Sequence, residues 1–218
     1  MGRIFILMLA TAALCSGCAN NYRDTTLYQR SGRTKPIVAV MPVINSSDTA
    51  TTTWDVAHEL TEEIRKRIFD SPRLYLLRDG GSVVTAHELN APDPSGLPKN
   101  ARESLGAAEF VVVAELIDQH ETSYGLDSNR PFLDEVGSVL SVAMRIRVID
   151  VRKEEPQVIL QEIINQDHMI SRPYLKTDYS KAHWGTEAFD RTPIGLAHSK
   201  VVREIVSRVE GYVGARKG

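Results

Sequence analysis

The amino-acid sequence predicts an α/β (α+β) domain, in which a mixed sheet of about five strands is flanked by amphipathic helices. Apolar runs of strand length recur along the chain, and segments with a helical period lie between and after them. The last two strand segments are separated only by a turn, so they should pair antiparallel. Near the start of the chain, a strand, a helix and a second strand follow in order, and this order favours parallel pairing of the two strands. The sheet is therefore expected to be mixed.

The first strand and the first helix are the clearest elements of the N-terminal half. The apolar run 37–41 follows Pro36 without interruption, which favours a central strand covered on both faces. In the charged segment that follows, every fourth residue is apolar: Val56, Leu60, Ile64 and Ile68. This period predicts an amphipathic helix, with Glu59, Glu62 and Glu63 on its solvated face.

The middle of the chain holds weaker signals and one strong strand. A second short strand is expected at 74–77, before an Asp-Gly-Gly turn. Short helices are expected at 82–89 and 99–105, because the prolines and glycine between them would break a continuous helix. The run 110–116 is rich in valine and predicts the third strand.

The C-terminal part predicts a hairpin and a closing helix. Apolar and polar residues alternate over 142–148, and a fifth strand at 157–166 follows the turn at 153–156. Thr192 is a good N-cap with Pro193 at the first helical position. The apolar face of this helix is expected at Ile194, Ala197, Val201, Val202, Ile205, Val209 and Tyr212. One α/β domain over 36–213 accounts for all elements, with 214–218 as a tail.

The first 17 residues are predicted to be an export signal that is removed. Arg3 supplies a positive charge, residues 4–14 are apolar, and the small residues 16–17 precede Cys18. Eleven apolar residues span about 16 Å of helix, too short for a permanent membrane span.

The segment 14–18, Leu-Cys-Ser-Gly-Cys, resembles the lipobox of bacterial lipoproteins, with Cys15 where leucine is usual. The resemblance implies that Cys18 is diacylated and becomes the N-terminus, and that Ala19 permits sorting to the outer membrane. Residues 18–35 would then be the lipidated cysteine and a polar, flexible tether. An ordinary secretory peptide is the alternative.

Neither a catalytic motif nor a nucleic-acid partner is indicated. The net charge of −2 and the 42% of hydrophobic residues are typical of a globular domain. None of the six histidines has the spacing of helix-borne metal ligands, and we read them as surface or capping residues. The sequence has no GxSxG, Walker or GxGxxG motif. We therefore expect no enzyme, no metal and no cofactor.

Two long segments, 119–137 and 167–192, are predicted to be irregular and are candidates for an interaction surface. The second contains four aromatic residues that could anchor a partner protein: Tyr174, Tyr179, Trp184 and Phe189. The alternative is that these rings fold back and fix the segment to the core. The sequence leaves the two interpretations about equal.

The elements at 37–45, 73–77, 108–115, 141–151 and 194–213 follow the order of the TolB N-terminal-like domains, which the chain resembles. This group includes LpoB-type activators of penicillin-binding proteins and CsgG-type pore lipoproteins. The chain is similar above all to uncharacterised lipoproteins of Chlamydiales. The resemblance implies the fold over residues 36–213 and a function without catalysis.

The resemblance implies a non-catalytic lipoprotein on the periplasmic side of the outer membrane that binds another envelope protein, in envelope assembly or regulation such as activation of peptidoglycan synthesis. The tether is short beside the long arms of LpoB-type proteins. The alternative is a homo-oligomeric, CsgG-like secretion-channel subunit. However, segments 119–137 and 167–192 lack the alternation of membrane hairpins.

Overall fold

The computed structural model describes residues 27–29, 31–47, 52–77, 83–90, 105–123 and 136–216. The chain divides into two units, residues 1–35 and 36–218. In the first unit, Tyr28 and Thr34 form an antiparallel bridge. The predicted signal peptide and Cys18 lie outside the described residues. No helix within the described ranges is long and apolar enough to span a bilayer.

The second unit contains a mixed sheet, as predicted, with six strands rather than about five. The strands are β1 (Ile37–Val40), β2 (Ile44–Asn45), β3 (Tyr75–Leu77), β4 (Phe110–Ser123), β5 (Val136–Asp150) and β6 (Gln157–Ser171). Their order is β3-β1-β4-β5-β6, and β2 also pairs with β4. β1 pairs in parallel with β3 and with β4, and β2 pairs in parallel with β4. By contrast, β4, β5 and β6 form an antiparallel meander. The α/β (α+β) fold class is confirmed.

Helices cover one face of the sheet and part of the other. They are α1 (Val56–Phe69), α2 (Val83–Leu89) and α3 (Pro193–Arg216). α1 and α3 pack on one face over the larger apolar core, which includes Leu60, Ile64, Phe110, Ile146 and Ile205. Ala86 and Leu89 of α2 belong to a smaller core on the other face, at the β1 end. No described element packs on the rest of that face, which we call the uncovered face of β5 and β6.

The first strand ends one residue earlier than predicted, at Val40. Pro42 has no backbone N–H and cannot continue the ladder, so the chain leaves the sheet before β2. The N–H of Val43 is satisfied elsewhere, because it donates to Oγ1 of Thr61 on α1 at 2.8 Å. The break in the strand therefore also ties α1 to the sheet.

A β-bulge in β4 changes which side chains face the helices. The register with β5 shifts between Leu116 and Asp118, which leaves Ile117 without a counterpart. Because side chains alternate along a strand, one extra residue turns those beyond it to the opposite face. Gln119 consequently lies on the helix-covered face, and His120 lies on the uncovered face.

The meander strands extend beyond their predicted bounds. β4 continues to Ser123, β5 begins at Val136 and β6 continues to Ser171. Residues 119–123, 136–137 and 167–171 of the two segments are therefore strand rather than irregular. These extensions are largely polar on both faces, which removes the alternation that identifies a strand. The helix α3 runs to Arg216, beyond the predicted domain end. The predicted helix at 99–105 lies outside the described residues except for Leu105.

Candidate functional site

Between β6 and α3 the chain forms an irregular loop, residues 172–192, that we call the outer loop. Two short 3-10 helices lie at its ends, Arg172–Tyr174 and Phe189–Arg191. Within it, backbone hydrogen bonds close local turns, such as Leu175 N to Arg172 O at 3.2 Å and Lys181 N to Asp178 O at 3.0 Å. The loop therefore has a defined conformation in its own right.

Three of the four predicted aromatic anchors point towards α1 or the segment just before it. Tyr179 and Phe189 both contact Trp54, with ring centroids 6.1 Å and 5.5 Å apart, and Phe189 meets it edge to face. Trp184 packs edge-on against His58 at 5.1 Å. Phe189 is only 4% exposed. These rings fix the outer loop to the domain, as the second interpretation of the sequence expected.

The hydroxyl of Tyr179 also reaches the start of α3. It accepts a long hydrogen bond from Ile194 N at 3.4 Å, and burial raises the pKa of Tyr179. Oγ1 of Thr192 accepts from Gly195 N at 3.1 Å, as predicted for an N-cap. The loop end and the helix start therefore stabilise one another.

Tyr174 is the one predicted anchor that points outward, with 58% of its surface exposed. Leu175, its neighbour, is 45% exposed and lies against Gly137 of β5. Leu175 was not predicted as a candidate residue, because it stands between Tyr174 and Lys176 and no apolar period marks it. Binding of a partner by any of these residues stays a prediction, and Tyr174 is the member of the set that a partner could reach.

A buried polar network lies beneath the outer loop, and the sequence did not reveal it. His198 of α3 is 1% exposed, with Nδ1 2.7 Å from Oε1 of Glu59 and Nε2 3.0 Å from Oε1 of Gln119. Nε1 of Trp54 donates to Oε2 of Glu59 at 2.7 Å. Every member thus has a polar partner, which is what buried polar groups require.

Two predictions from the sequence are wrong here. Glu59 was expected on a solvated face and His198 was expected to be a surface or capping residue, but both side chains are buried. Glu59 is 0% exposed. It follows Val56 by three residues and precedes Leu60, so it borders the apolar stripe of α1. That position is a signal for burial, although nothing in the sequence names the partner on α3.

A groove of about 680 Å³ runs between α1 and α3 above this network. Charged side chains of both signs line it, including Glu63, Lys66, Arg203 and Glu210. Glu59 and His198 form part of its floor, but their low exposure keeps them from a bound molecule. Across the described ranges, no three His, Cys, Asp or Glu side chains gather as metal ligands would.

A second polar cluster lies beside α2 and the uncovered face. Glu115 accepts hydrogen bonds from Ser46 Oγ at 2.7 Å, Asn90 Nδ2 at 2.9 Å and Arg145 Nη1 at 2.6 Å. Nearby, Arg147 is 7% exposed and donates from Nη1 to the carbonyl oxygen of Asn90 at 2.7 Å. Burial lowers the pKa of Arg147. The cluster joins β2, β4, β5 and the end of α2.

The pKa of Glu115 predicts a pH dependence of stability. Burial raises this pKa, but the hydrogen bonds from Asn90 and Ser46 and the charge of Arg145 outweigh burial and hold it below 4.5. A carboxyl whose pKa is lower in the folded state adds stability above its unfolded pKa, and this is lost as pH falls through the folded value. We expect Glu115→Gln to lower the free energy of unfolding at neutral pH and much less at about pH 3. Urea unfolding of both proteins at the two pH values checks this; an equal difference at both would contradict it.

The chain is similar to hypothetical protein CT253 from Chlamydia trachomatis, with 33% identity, a TM-score of 0.69, and coverage of 83% of this chain and 99% of that one. Lipoprotein GNA1162 from Neisseria meningitidis is 14% identical with a TM-score of 0.37, covering 79% of this chain and 99% of that one. PelC from Paraburkholderia phytofirmans, solved as a dodecamer, is 13% identical with a TM-score of 0.38, covering 73% and 89%. No curated protein matches the sequence significantly.

The similarity to a Chlamydia protein agrees with the coarse resemblance predicted from the sequence. The finer resemblance, to TolB N-terminal-like, LpoB-type and CsgG-type proteins, stays a prediction. Residues 24–217 match the model of DUF7499, a family of unknown function, and the chain belongs to that family.

Proposed function

We propose that this protein is a lipid-anchored, non-catalytic protein of the bacterial cell envelope that binds another envelope protein through its outer loop. Lipidation at Cys18 would hold it on the outer membrane, with the domain facing the periplasm. The export signal and the lipobox resemblance at 14–18 support this location. Assembly or regulation of the envelope, such as activation of peptidoglycan synthesis, is the setting we propose.

The observation that carries this proposal is the exposure of Tyr174 and Leu175 on a loop that is otherwise fixed. Adjacent exposed apolar residues are typical of interaction sites, and tyrosine is enriched among the residues that dominate binding energy. Three inward rings hold the same loop against Trp54 and His58. A loop already held in its binding conformation loses less conformational entropy on association.

Replacing Tyr174 with Ala tests this function. We expect Tyr174→Ala to weaken partner binding by about 2 kcal/mol, roughly thirtyfold, because it removes an exposed aromatic anchor. The measurement is crosslinking of the full-length protein in intact cells, with mass determination of the captured complexes. The matched control is Tyr212→Ala, which removes a 42% exposed tyrosine from α3.

Tyr212→Ala should leave capture unchanged. Undiminished capture by Tyr174→Ala would contradict the role of the outer loop. A ladder of homo-oligomers that ends at one closed size, in place of a complex with a second protein, would instead favour the alternative predicted from the sequence, a secretion-channel subunit.

A further inference from the structure

We propose that two copies of this protein pair through their β6 strands, antiparallel and in register about Gln166. The pairing would join two sheets into one across a two-fold axis. It uses a different surface from the outer-loop site of the proposed function and does not depend on that function.

The outer edge of β6 has no strand beside it in the part of the chain that the structure describes. Among the described residues β6 pairs with β5 alone, and from Leu160 to Ile170 the pairing runs without a register shift. Edge strands are usually protected by Pro, Lys, bulges or short length. β6 has 15 residues, with neither Pro nor Lys among them. A regular edge of this length is a template for a further strand.

The pattern of side chains on the uncovered face indicates that the added strand is β6 of a second copy. Ile163 and Met169 are 55% and 68% exposed, the two most exposed apolar side chains of β6. In a pairing centred on Gln166, a residue before Gln166 lies opposite the residue of the second copy that is equally far after it. Ile163 of each copy then meets Met169 of the other. Asn165 then faces Asp167. A pairing about Asn165 would instead place Ile163 against Asp167.

Charged side chains on the helix-covered face favour the same pairing. Lys200 Nζ of α3 lies 3.2 Å from His168 Nδ1, and no described carboxylate is within ion-pair distance of that lysine. In the proposed register, Glu162 of the second copy lies opposite Ile170, diagonally next to His168. Diagonal neighbours lie within reach of long side chains. Lys200 and Glu162 of the second copy would thus bring opposite charges together, and no like charges lie directly opposite one another. The two Asp167 side chains are diagonal neighbours on the uncovered face, each opposite Asn165 of the other copy.

A cysteine at the centre of the pairing tests the register. In the full-length chain carrying Cys15→Ser and Cys18→Ser, purified in detergent, we expect Gln166→Cys to form a disulfide or short bismaleimide dimer. Facing residues have Cβ atoms about 5 Å apart. The control is Gln161→Cys on the same strand, whose two thiols would be about 33 Å apart along the strand.

We expect at least ten times more crosslinked dimer from Gln166→Cys than from Gln161→Cys. Equal yields, or no dimer from Gln166→Cys, would overturn the register.

Sedimentation equilibrium tests the association without a crosslink. Ile163→Lys and Met169→Lys should each raise the dissociation constant of the dimer at least tenfold, because each places a charge against an apolar side chain of the second copy. Val158→Lys is the matched control, since Val158 is 37% exposed on the same strand but lies beyond the paired stretch. A protein that stays monomeric at all concentrations, or equal effects of all three variants, would overturn the proposal.

Discussion

The variant Glu59→Ala is expected to lower the free energy of unfolding by about 3–5 kcal/mol, the cost typical of breaking a buried pair by removing one partner. Glu59 is 0% exposed and accepts from Trp54 Nε1, while its other oxygen lies 2.7 Å from His198 Nδ1. Truncation would leave the imidazole and the indole N–H buried without this acceptor. Because these groups connect α1, α3 and the segment before α1, the loss affects the packing of both helices. Urea unfolding followed by circular dichroism measures the change.

Glu63→Ala provides the matched control for that experiment. Glu63 lies one turn further along α1 and is partly exposed. Its removal should change the free energy of unfolding by no more than about 0.5 kcal/mol, as for most surface substitutions. If the two variants had equal stability, Glu59 would not belong to a buried network. Glu59→Gln keeps the volume and shows how much of the loss comes from the charge.

The second large effect is expected at Gly195, in the first turn of α3. A Cβ at this position would lie 2.9 Å from the carbonyl carbon of Phe189 and closer still to its oxygen. Because those atoms are backbone, the outer loop and the helix would have to separate. We expect Gly195→Ala to lower the free energy of unfolding by about 2–3 kcal/mol, the range of an overpacked site. Thermal unfolding measures this.

Gly211→Ala, in the same helix, should have the opposite sign. Nothing lies within 4 Å of a Cβ at Gly211. Alanine loses less conformational entropy than glycine on forming a helix, so a gain of about 0.5–1 kcal/mol is expected. A loss at both positions would mean that helix propensity does not explain the contrast. A gain at both would contradict the close approach of Phe189 to Gly195.

Much of the fold could be predicted because its signals are local. The period of Val56, Leu60, Ile64 and Ile68 identified α1, and the cap at Thr192 identified the start of α3. The strand β2 was not predicted, because it has only two residues and begins just two positions after Pro42. The polar ends of β4 and β6 gave no alternation, since neither of their faces there is uniformly apolar.

Less of the candidate site could be predicted, because it depends on contacts between distant parts of the chain. Aromatic content identified the outer loop but could not separate Tyr174, which points outward, from Trp184, which packs on His58. The sequence gives no sign that Trp54 receives two of these rings. The partners Glu59 and His198 are 139 residues apart, a separation that no sequence period can connect.

The bulge gives β4 one residue that can be lost without turning the interior of the strand outward. Because Ile117 has no counterpart on β5, its deletion would leave Leu116 and Asp118 as successive residues opposite Met144 and Ala143, in a regular ladder. Gln119 would keep its face and its place beside His198. A gap at residue 117 in an alignment of related chains would therefore signify a straightened strand with the same interior. We expect single-residue gaps within β4 to fall at this position.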